Sequence, residues 1–76
     1  MPHNILDATR SYVWNKYVNN PAYSDRPGYI LQILAIAAAK ETEYQLQNQK
    51  KRSPYEMNLH FMNRIDQQFR DGIVTH

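Results

Sequence analysis

Apolar residues are densest at Tyr29–Ala39, Y-I-L-Q-I-L-A-I-A-A-A, where only Gln32 is polar. A run this short cannot span a bilayer, which needs about 18 or more apolar residues. It is also too evenly apolar for a helix with one buried face. It reads as the first half of a central helix covered on more than one side. That helix is predicted from Pro27 to about Lys51, a rod of roughly 36 Å. Proline is tolerated in the first turn, and Ser24 or Asp25 is the expected cap. Ile30, Leu31, Ile33, Leu34, Ala37 and Ala38 form a broad apolar face. Ala35, Ala39 and Gln32 lie behind it and allow a neighbouring helix close approach. After Lys40 the sequence turns polar, with only Tyr44 and Leu46 apolar before Lys50.

The pattern predicts a shorter helix before this one, from about Ile5 to Val18. Asn4 is a suitable N-cap, with Asp7 three residues on. At 100° per residue, Leu6, Val13 and Tyr17 share one line, flanked by Trp14 and Val18 on one side and Ile5 and Tyr12 on the other. Asn19-Asn20-Pro21 ends the helix. The connector, N-N-P-A-Y-S-D-R-P, is longer than the tight turn of a DNA-reading helix-turn-helix.

A third helix is predicted from Pro54 to Asp71. Ser53 is the N-cap, Pro54 takes the first helical position and Glu56 completes a capping box; Gly72 is the C-cap. Phe61, Met62, Ile65 and Phe69 form its apolar face, widened by Tyr55, Leu59 and Ile73. The short turn before it makes helices two and three antiparallel. Phe61 is then expected near Tyr44, and Phe69 and Ile73 near Ile33 and Ile30. No period-two run suggests a strand. The expected fold is all-α: one domain over residues 1–76, a short N-terminal helix packed on a long antiparallel hairpin.

Composition sharpens this picture. Seventy-six residues give a thin core, and small domains need a staple. There is no cysteine, which removes disulfides and thiolate metal sites. A second subunit is therefore the expected staple. Helices one and three cover only part of helix two, and the surplus apolar surface is assigned to Trp14, Leu31, Ala35 and Ile36 as an oligomer interface. The net charge is only +2 and is dispersed, so attraction to nucleic acid or lipid is weak. The N-terminus carries no basic region followed by an apolar run, so a cytoplasmic protein is expected.

Candidate chemistry is sparse. Glu56 and His60 share a helix face, but one Glu-x-x-x-His pair does not make the repeated Glu-x-x-His of di-iron bundles. His60 falls with Arg64 and Gln67 on the polar face and is expected to be solvated. Glu41 lies close to the Ile30–Leu34–Ala37 line and reads as an acid at the core boundary, with a buried partner-binding carboxylate as the sharper alternative. With two glycines there is no phosphate loop. No catalytic residue, metal or cofactor is expected.

The leading expectation is thus a non-enzymatic protein–protein interaction module. It would be a small helical homo-oligomer acting as adaptor, inhibitor or assembly factor, of a size frequent among phage and plasmid accessory proteins. Tyr12, Tyr23, Arg26, Lys50, Lys51 and Arg52 are the candidate partner contacts. Tyrosine suits such surfaces because it is large, stiff and amphipathic. The alternative is a nucleic-acid-binding protein using the basic patch at the turn between helices two and three, with Tyr23 or Tyr55 stacking on bases. A ligand pocket among Tyr44, Phe61 and Met57 is the third reading.

Overall fold

A computed structural model describes residues 5–48 and 52–73, with side chains in the first helix described from Ala8 onward. The chain is all-α. Helix α1 spans Ile5–Val13 and runs on into a wider turn at Trp14–Val18; α2 spans Pro27–Asn48 and α3 spans Pro54–Asp71. Asn4, Lys50 and Lys51 lie outside the described residues. Among the described residues no helix is long and apolar enough to cross a membrane.

In the wider turn the Asn19 N–H reaches back five residues to the Trp14 carbonyl, at 2.8 Å. There is a reason for it in the packing. Thr9, Val13 and Tyr17 are all buried, at four-residue spacing. Four residues overshoot a 3.6-residue turn by about 40°. Widening the last turn absorbs part of that drift and keeps Tyr17 facing inward. The connector that follows is folded on itself: Asn20 accepts from the N–H of Tyr23 at 2.9 Å and of Ser24 at 2.8 Å.

Helix α3 has the expected ends. The Glu56 N–H donates to Ser53 Oγ at 3.2 Å. Gly72 closes the helix at φ 74°, and its N–H donates to the Gln68 carbonyl at 2.8 Å. The buried Gln68 side chain donates to the Gly72 carbonyl at 2.9 Å, so a polar residue in the core also secures the helix end.

Helices α2 and α3 are antiparallel: Glu41 pairs with His60 and Arg64, while Tyr29, twelve residues earlier, meets Phe69. The core is Val13, Tyr17, Ile30, Ile33, Ala37, Ile65 and Phe69, with Ile73 packed against it. Phe69 and Ile73 thus join Ile30 and Ile33 as the register required. Two expectations are corrected. Tyr44 stacks on His60, with ring centroids 4.5 Å apart, and Phe61 turns instead toward α1 and α2. Tyr55 and Leu59 do not extend the buried face of α3; both are exposed, while their neighbours Asn58 and His60 are the ones that meet α1 and α2.

Helix α1 packs on α3. Among the described residues its backbone comes close to α2 only at the wide turn, Trp14–Val18. From that end the two helices diverge, and the molecule is a plate of 40 × 38 × 15 Å. The thin dimension is about what two helical layers at 8–10 Å spacing occupy.

Candidate interaction surface

The divergence of α1 and α2 leaves a cleft with α3 as its floor. Near the wide turn it encloses about 500 Å³ between Val13, Trp14 and Val18 on one wall and Leu31, Leu34, Ala35 and Ala38 on the other, over Phe61 and Ile65. Toward the far end a further 420 Å³ lies between Ala38, Thr42 and Leu46 and the α3 residues Met57, Asn58 and Phe61. Thr9, Ala38 and Phe61 line both parts, so they adjoin. The walls are overwhelmingly apolar, and apolar surface left in water forgoes roughly 25 cal/mol per Å². At the rims stand Trp14, 60% exposed, and Leu31 and Leu46, each 68% exposed.

Two carboxylates, Glu41 buried and Asp66 partly buried, hold this arrangement together. Glu41, on α2, is 8% exposed. His60 Nδ1 lies 2.8 Å from both of its oxygens, a geometry that is attractive only with the proton on that nitrogen. Arg64 Nε donates to Oε1 at 3.1 Å and Gln45 Nε2 to Oε2 at 2.8 Å. Burial acts to raise the Glu41 carboxyl, yet hydrogen bonds from Gln45, His60 and Arg64 hold it below the usual carboxylate range. Glu41 is therefore a clamp between α2 and α3. His60 is not the solvated residue its place on the helix suggested: the helix face it shares with Arg64 is turned toward α2.

Asp66 does the same between α1 and α3. It accepts from the Tyr12 and Tyr17 hydroxyls, each at 2.5 Å, and Lys16 Nζ lies 3.2 Å away. Burial again works to raise the carboxyl, and the donors Tyr12, Tyr17 and Lys16 outweigh it. Thr9 and Asn58 add a second polar link between the same helices.

The residues singled out from sequence separate into two groups. Trp14, Leu31 and Ala35 come together along the cleft. Ile36, half-buried, does not line it. Tyr12 is engaged on Asp66 rather than turned outward. Tyr23 packs edge-on against Phe69 and Tyr17, at 5.3 and 5.7 Å, and Arg26 lies 4.3 Å over the Tyr29 ring. Arg52 donates to the Tyr44 hydroxyl at 2.7 Å. Met57 and Phe61 border the cleft, but Tyr44 does not. Sequence reasoning missed Ala38 and Leu46 as cleft walls, and it missed Asp66. A signal for Asp66 existed: an acid beside Ile65, opposite a Tyr12–Lys16 pair one turn apart.

No family model, curated protein or solved structure matches this chain.

Proposed function

We propose that this chain is a non-enzymatic, cytoplasmic interaction protein that works as a self-assembling helical module, of the adaptor, inhibitor or assembly-factor kind. The observation that carries this reading is the open apolar cleft between α1 and α2. A small domain with a thin core gains most by covering such a surface, and a second copy is always at hand to do it. The two best-placed acids support the non-enzymatic part. Glu41 and Asp66 are each filled by donors from their own chain, which leaves neither poised to move a substrate proton.

Absolute mass by light scattering across concentration and salt tests the reading. The expected result is a dimer or larger assembly that persists in salt, since the cleft is apolar. Leu31→Glu should return it to a monomer with its helicity intact. Leu31 is exposed in the single chain, so the change should cost the monomer less than about 0.5 kcal/mol. A wild-type chain that remains monomeric at high concentration would refute self-assembly.

A further inference from the structure

The exposed side of α2 that borders the cleft carries a pattern that matches itself when reversed. Leu31, Ala35, Ala38, Ala39, Thr42 and Leu46 are all exposed. They are symmetric about the Ala38–Ala39 bond: the alanines flank it, Ala35 and Thr42 lie equally far on either side, and so do Leu31 and Leu46. Large side chains stand at both ends of the stripe and small ones at its centre, and none carries a charge. We infer that two copies pair along α2 in antiparallel, two-fold fashion, with Leu31 of each beside Leu46 of the other and the alanines crossing at the axis. This rests on the self-assembly proposed above and specifies its interface.

Three physical points favour a second copy over a foreign helix. An isologous contact needs a surface that complements its own reverse, and this stripe does. Alanines at the centre let two helices approach closely, while the leucines at either end supply apolar area. The broad face of the plate also has room for the contact. A standard interface takes about 800 Å² per partner, roughly one seventh of the 5749 Å² surface of this chain, and the face measures 40 by 38 Å across. Pairing there places the partner's α2 beside Trp14 at the cleft rim.

The chain has no cysteine, so disulfide trapping needs no background removal. Leu31→Cys and Leu46→Cys chains would be mixed and oxidised. The expected product is the mixed disulfide dimer, with little cross-linking of Leu31→Cys chains to one another. Residues 31 of the two copies would lie roughly 22 Å apart along the helix, far beyond the ~7 Å Cα separation a disulfide tolerates. The pair Ala35→Cys and Thr42→Cys repeats the test with both leucines in place, should losing them weaken assembly. Mixed disulfides from either pair support the arrangement. Cross-linking of Leu31→Cys chains mainly to themselves would overturn it in favour of parallel pairing. Assembly by light scattering without mixed disulfides from either pair would overturn it and leave self-assembly standing, whereas a monomer would remove both.

Discussion

Glu41 and Asp66 are expected to carry the acid sensitivity of this fold. Each has its folded-state pKa lowered from an ordinary value near about 4. Such a group contributes its full stabilisation above the unfolded-state value and loses it as pH falls through the folded-state value. Resistance to urea should therefore decline as pH drops below about 4. Glu41→Gln and Asp66→Asn should each make that decline shallower while lowering stability at neutral pH, and a decline of unchanged steepness in both variants would refute the assignment. Tyr17 is the opposite case. Burial first, then its hydrogen bond to Asp66, pushes its phenol well above the usual value. A raised phenol stabilises the fold fully below its unfolded value of about 10 and ceases to do so as pH rises through the folded value. Alkaline titration followed by ultraviolet absorbance should show a late tyrosine step that coincides with unfolding, and Tyr17→Phe should abolish it.

Helix ends set the stability of the individual elements. Ser53 satisfies one of the free N–H groups at the start of α3, so Ser53→Ala should cost about 1 kcal/mol. Gly72 combines φ 74° with ψ −165°, a region essentially restricted to glycine. An added Cβ would meet only the Tyr29 hydroxyl, at 3.6 Å, an ordinary contact. The cost of Gly72→Ala is therefore one of backbone conformation, about 1–3 kcal/mol. Urea midpoints of the two variants check both values. If Gly72→Ala unfolds like the wild type, the positive φ is not what holds this terminus.

For the whole molecule, the decisive feature is how little α1 and α2 touch. One carboxylate clamp fastens each of them to α3, Glu41 for α2 and Asp66 for α1, and among the described residues their backbones come close only at the wide turn. The cleft is the result. Trp14, the sole tryptophan, stands at its rim and reports on its state. Its fluorescence should shift to the blue as concentration rises and the cleft is covered, and Leu31→Glu should hold it at the exposed wavelength. Emission that stays constant while mass increases would place the contact elsewhere on the plate.

The three helices were legible in the sequence because their signals are local. Ser53, Pro54, Glu56 and Gly72 mark the ends of α3 through backbone hydrogen bonds within a few residues, and the Tyr29–Ala39 run fixes the central helix by its apolar content alone. The surplus of apolar surface at Trp14, Leu31 and Ala35 was legible too, since it follows from counting faces. The partners of Glu41, Asp66, Tyr12 and His60 were not. On a helical wheel His60 and Arg64 belong to a polar face, and only the rotation of α3 against α2 turns that face onto a buried carboxylate. The cleft itself is a matter of the angle between α1 and α2. Local periodicity determines which side of a helix is apolar; what that side meets depends on how three helices share one thin core, and that only the tertiary structure decides.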